Sequence, residues 1–205
     1  LEGLYARREG DAGKAEGLFR GSRRRAVLGS AHLCRVYVEM YLAMTVFESD
    51  PFSAIGLLEE ALRSSHGKYL WGIRSDILLL LARFSLAVGR RNEAVMSAEE
   101  VIANSRRLPG TRTEMEALFI LAQTHIEEKH DREIPRTYLF RALDAAVKNG
   151  LSGTAVDSSL AFIRRWKEVF GGMPDWEVYD TVSSLIRGPE LAARKGELDR
   201  LFSLS

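Results

Sequence analysis

The chain of 205 residues contains one cysteine, Cys34, so no disulfide can close within it, and that usage fits a reducing compartment. Long apolar runs are also missing. The longest, Ile77 to Ala82, is far too short to span a bilayer, and the N-terminal residues lack the apolar core of a signal peptide. Charge of one sign is not in excess: the formal net charge is +1, without the strong basic balance of a dedicated nucleic-acid binder and without a long acidic or basic tail. Period-two alternation and β-hairpin turn signals are absent, which argues against strands. The expected location is the cytoplasm or nucleus, with no membrane. Because Leu1 is not Met and the chain opens inside a hairpin, a fragment of a longer protein is expected.

What is present is helical periodicity over nearly the whole length, with enough apolar residues (46%) for a continuous core in one domain or a short solenoid. The stretch Ser75 to Glu128 reads as helix, tight turn, helix, loop, helix. Leu78, Leu81, Ala82 and Ser85 place large and small residues on one helical face, so that a neighbouring helix can come close. Gly89 breaks this helix and Arg90-Arg91 carry the turn. A second amphipathic helix follows, with Ala94, Ala98, Val101 and Ile102 on its inner face. The pattern predicts an antiparallel helical hairpin.

The hairpin recurs. Gly10-Asp11 followed by Ala15 and Leu18-Phe19 marks an earlier turn and second helix. A third helix is expected from about His32 to Phe47, with Val36, Met40, Ala43 and Met44 at three-and-four spacing. Asp50-Pro51 is a helix start, because Asp50 can cap free amides while Pro51 loses nothing at the first helical position. Ala15, Ala54 and Ala94 lie about 40 residues apart, and Ala61-Leu62 recurs as Val101-Ile102 and Ala142-Leu143. Leu118, Leu121, Ala122 and His125 repeat the first-helix pattern. Pro135 stands where the next alanine would fall, so that second helix is expected to start late, near Arg136. Asn149-Gly150 is a C-cap. Beyond it the markers fade: an amphipathic helix from Ala155 to Phe170, a break at Gly171 to Pro174, then helices over about 175–186 and 189–202 that read as a capping tail.

Leu81-Ala82, Gly89, Ala94 and Val101-Ile102 together resemble the tetratricopeptide repeat (TPR), and the resemblance covers about Gly10 to Val147. The period is longer than the usual repeat. It is similar to MalT-like regulatory regions of bacterial transcription activators and to repeat subunits of large assemblies such as the anaphase-promoting complex or the cohesin loader. The resemblance implies an all-α, right-handed α-solenoid of antiparallel hairpins, with repeats over 1–150 and capping helices of the same solenoid over 151–205. It also implies an interaction module that holds a peptide or helix of a partner protein on its concave face.

Residues that could carry chemistry are few. Gly10 to Ala15 falls short of a phosphate loop, since Arg8 and Ala15 stand where glycine and Ser or Thr are needed. His125 and His130 fall on different helical faces, and no cluster completes a metal site. The pairs Glu59-Glu60, Glu99-Glu100 and Glu127-Glu128 point about 100° apart within each pair and read as a solvated rim. No catalytic residue, metal or cofactor is expected, and the chain does not read as an enzyme. Cys34 reads as a small buried hydrophobe, and Trp166 as a core residue with Arg164, Arg165 and Lys167 outside it. Arg7, Arg8, Arg20 and Arg23 to Arg25 form a basic cluster at the N-terminal end. Arg90, Arg91, Arg106 and Arg107 read first as a solvated edge balanced by carboxylates such as Glu93 and Glu114; they could also receive an acidic peptide, with direct nucleic-acid binding the weaker reading, while Tyr37, Tyr41 and Tyr138 could line the groove. A regulatory domain that binds a small inducer is the alternative, and self-association through the last repeat stays open.

Overall fold

A computed structural model describes residues 1–29, 31–65, 70–105, 112–127 and 131–203. The described chain is all-α, with eleven helices packed as sequential hairpins and, among the described residues, no strand. They are α1 (Glu2–Arg8), α2 (Ala12–Leu28), α3 (His32–Val46), α4 (Pro51–Ser64), α5 (Trp71–Ala87), α6 (Arg91–Ser105), α7 (Arg112–Ile126), α8 (Glu133–Asn149), α9 (Ser152–Phe170), α10 (Trp176–Leu185) and α11 (Ala192–Ser203), with a 3₁₀ turn at Pro189–Leu191. The chain divides into two compact units, Leu1–Glu100 and Val101–Ser205, and the division falls within α6.

The turns form where the sequence supplies the backbone freedom or the cap. Gly10 and Gly89 sit at φ +83° and +79°, conformations that side chains with a Cβ rarely adopt. There the amide of Asp11 donates to the carbonyl of Ala6 at 3.0 Å and that of Arg90 to Ser85 at 2.8 Å, closing the preceding helices. The carboxylates of Asp11 and Asp50 then accept the amides of Lys14 (2.9 Å) and Ser53 (3.0 Å), starting α2 and α4. The Ser53 hydroxyl and amide hold the Asp50 carboxyl below its ordinary pKa. The Pro135 helix begins at Glu133, earlier than Arg136: proline there sits in the first turn, where no amide has an intrahelical partner to lose.

The repeat is visible as a line of buried residues along successive second helices. Ala54, Leu58, Ala61 and Ser65 are buried on α4 and its C-cap, and Ala94, Ala98, Val101 and Ser105 occupy the same spacing on α6. Pro135, Leu139, Ala142 and Ala146 do so on α8. The small residues let helix axes approach and the larger ones fill the space between.

In the first unit, successive helices from α1 to α5 pack on one another. The core runs through Val36, Leu42 and Ala43 of α3, Ala54 and Leu58 of α4, and Ile77 and Leu81 of α5. Phe47 stacks on Phe84 with ring centroids 3.8 Å apart. Helix α2 is locally weak. Gly17 and Gly21 lie on one exposed face in its interior, and each mid-helix glycine costs about 1 kcal/mol relative to alanine.

In the second unit α9 packs against α7, α8, α10 and α11. Ala155, Val156, Leu160, Phe162, Ile163 and Trp166 form its buried face. Trp166 is 4% exposed, as its spacing implies, while Arg165 turns outward to Glu127 and Glu168. Between α10 and α11, Lys195 Nζ donates to Asp199 (2.5 Å) and to Tyr179 Oη (2.5 Å), and Tyr179 Oη donates to Asp199 at 2.7 Å. These bonds hold Asp199 below and Lys195 above their ordinary pKa values, the Lys195–Asp199 hydrogen bond being the leading cause for both.

Two expectations follow. Ala82 and Ala94 are fully buried, so Ala82→Phe or Ala94→Leu should lower stability by about 1–3 kcal/mol, read as an earlier urea midpoint. An unchanged midpoint in Ala82→Phe would remove the α5–α6 hairpin. The depressed Asp199 contributes stability above the ordinary carboxylate range and loses it as pH falls through its lowered value. The raised Lys195 contributes below the ordinary lysine range and loses it as pH rises through its raised value. Protection factors of the α11 amides, taken relative to intrinsic exchange at each pH, should therefore be largest between those limits, and Asp199→Asn should remove the acid-side dependence.

Candidate functional site

The site begins with the shortness of α1. Gly3 lets α1 lie close on α2: a Cβ there would stand 2.9 Å from Cε1 of Phe19. Beside this contact, α1, α2 and α3 enclose an open cleft of about 530 Å³. Phe19 is buried and Leu4, Leu18, Val38 and Tyr41 are half-buried against the core, giving the cleft an apolar wall. Tyr41 stacks on Phe19, centroids 6.0 Å apart and planes 13° apart. Leu1, Glu2, Arg25, Cys34 and Tyr37 are its exposed members. Among the described residues neither Arg25 nor Glu2 has an ionic partner; Arg25 makes one long hydrogen bond, 3.4 Å to Ser22 Oγ.

The cleft thus offers aromatic and aliphatic surface, two tyrosine hydroxyls, one guanidinium and one carboxylate. Such a set can bury an apolar side chain and orient the polar groups that flank it.

Of the residues expected to contact a partner, Tyr37 and Tyr41 come together in this cleft, one turn apart on α3. Arg90, at the α5–α6 turn, lies over the Phe52 ring at 5.2 Å, and Arg91 is exposed at the start of α6. Tyr138 belongs to the second unit, where its ring stacks on His125 at 5.4 Å and the Arg141 guanidinium lies 5.6 Å away. Arg106, Arg107 and His130 lie outside the described residues.

Three readings of single residues change. Cys34 is exposed and lines the cleft, because α3 turns its Val36 and Met40 to the core instead. Arg23 to Arg25 do not act as one cluster: Arg23 points inward while Arg24 and Arg25 stay exposed. Glu60 and Glu100 are not a free rim but ion partners of Arg35 and of Arg74, the latter at 2.7 Å.

Those inward charges form the feature that apolar periodicity could not find. Glu39 is fully buried, and its Oε1 accepts from Arg23 (3.2 Å) and Arg35 (2.8 Å). Both arginines also reach Glu60 on α4, Arg23 at 2.5 Å. The hydrogen bond to Glu39 is the leading cause of a raised Arg35 pKa. A signal was present in the same period of about 40: Arg35 and Glu60 recur as Arg74 and Glu100.

Among the described residues no group of three or more His, Cys, Asp or Glu is placed to hold a metal ion, and no helix is long and apolar enough to cross a membrane. No protein-family model matches the sequence, and no curated protein matches it. The class defined by the fold is therefore an all-helical domain of sequential hairpins with repeat-like spacing.

The exposed thiol gives a direct check of the cleft. Native protein should release one equivalent of thionitrobenzoate from Ellman's reagent without denaturant, since Cys34 is the single cysteine. A thiol that reacts only after unfolding would contradict this placement of α3.

Proposed function

We propose that this chain is a non-catalytic scaffold, a TPR-like right-handed solenoid of about 40-residue period that holds a peptide or helical segment of a partner protein. The observation that carries the reading is the cleft between α1, α2 and α3, where exposed and half-buried tyrosines stand over an apolar wall. Tyrosine contributes large contact area with few rotors to freeze, so it is favoured where a partner side chain docks. The recurring buried line on α4, α6 and α8 supports the repeat assignment.

The inward turn of Arg23 removes one charge from the basic cluster that a phosphate backbone would need, which favours a protein partner over nucleic acid. A second reading is supported by the cleft's size: about 530 Å³ also suits a small ligand, as a regulatory domain sensing an inducer would require.

Peptides selected by phage display against the chain should bind wild type and lose at least about tenfold in affinity in Tyr37→Ala/Tyr41→Ala, as read by fluorescence anisotropy. A selected peptide should also slow the reaction of Cys34 with thiol reagent. Equal affinity for the double variant would overturn the cleft as the docking site. Thermal stabilisation by a small metabolite, with no peptide recovered, would favour the inducer reading.

A further inference from the structure

Laying the hairpins on one another at the period of about 40 shows that the seam between α2 and α3 is built differently from the next one. Arg35 and Glu60 have counterparts in Arg74 and Glu100, which are also paired. The other two members do not match in kind. Where α2 has Arg23, α4 has Leu62 and α6 has Ile102. Where α3 has Glu39, α5 has Leu78 and α7 has Leu118. The first seam thus sets a part-buried arginine and a fully buried carboxylate where the later helices carry apolar residues.

Burying Glu39 weakens the seam, because taking a carboxylate out of water offsets most of its attraction to part-exposed arginines unless every lone pair is satisfied. Here it is not. Glu39 Oε1 accepts from both arginines, while Oε2 is buried and has no hydrogen-bond partner. Helix α2 adds its own weakness in Gly17 and Gly21, and α1, its hairpin mate, is only seven residues long.

We propose that α1 and α2 form a detachable hairpin, held on α3–α4 by the Arg23–Glu39–Arg35–Glu60 cluster as an ionic latch, and that it opens as one unit while α3, α4 and α5 stay folded. Opening takes away the Leu4, Leu18 and Phe19 walls of the cleft, so the latch sets whether the cleft exists. The latch stands independently of what the cleft holds.

The test is native-state hydrogen exchange of the full chain, resolved by peptide. Amides of α1 and α2 should exchange at least about tenfold faster than those of α4 and α5, with one common opening rate across both helices. Arg23→Leu/Glu39→Leu leaves Arg35 and Glu60 paired and gives the first seam the residue set of the second. It should slow exchange in α1–α2 about tenfold and leave α4 and α5 unchanged. Equal protection of all these helices, or a double variant whose α1–α2 exchange matches wild type, would overturn the latch, the latter leaving only fraying of a terminal hairpin.

Gly17→Ala/Gly21→Ala keeps the idea testable if the leucine variant aggregates. Nothing lies within 4 Å of a Cβ at either position, so alanine fits. Each substitution should slow α1–α2 exchange about fivefold with no effect on α4. If α4 slows equally, the hairpin does not open separately and the proposal falls.

Discussion

The close approach of one helix to the next at small residues is the constraint on which the rest of this structure depends. Ala54 and Ala94 are fully buried at the same repeat position, where a larger side chain would push the neighbouring helix away. Because the small positions recur at the same spacing, α4, α6 and α8 carry similar lines of buried residues. The turns follow from that need, since a hairpin can bring two small-residue faces together only if the chain reverses within a few residues. Gly10, Gly89 and the Asp50-Pro51 start provide that reversal.

Much of this was legible in the sequence for a physical reason. Helix periodicity, glycine at positive φ, and aspartate or proline at helix starts are local effects, and local effects survive in any tertiary setting. The α5–α6 hairpin, the Asp50 cap, the Gly150 C-cap and the core position of Trp166 all rest on them. The late start expected for the Pro135 helix failed because the first helical turn tolerates proline in more than one position.

The candidate site was only partly legible. Tyr37 and Tyr41 could be named because aromatic residues on an amphipathic helix are few, but nothing local shows that α1 and α2 leave a cleft in front of them. Cys34 was misread because its neighbours Leu33 and Val36 suggested burial, whereas the face of α3 that packs is fixed by Val36, Met40 and Ala43. The buried charge cluster was hidden for a different reason. Arginine and glutamate are expected in water, and only comparison of charged positions at the repeat spacing shows that Arg35 and Glu60 belong to a pattern while Arg23 and Glu39 depart from it.

That departure bears on how a chain of similar hairpins assembles in the right order. Surfaces that resemble one another can dock in the wrong sequence, with α2 seated where α4 or α6 belongs. Opposite Leu78 or Leu118, however, Arg23 would lose its bond to the buried Glu39, an arrangement that costs more than a poor apolar fit. The charge pair therefore acts as an address. It makes the first seam less firm than an apolar one, and in exchange it leaves α2 a single place to sit.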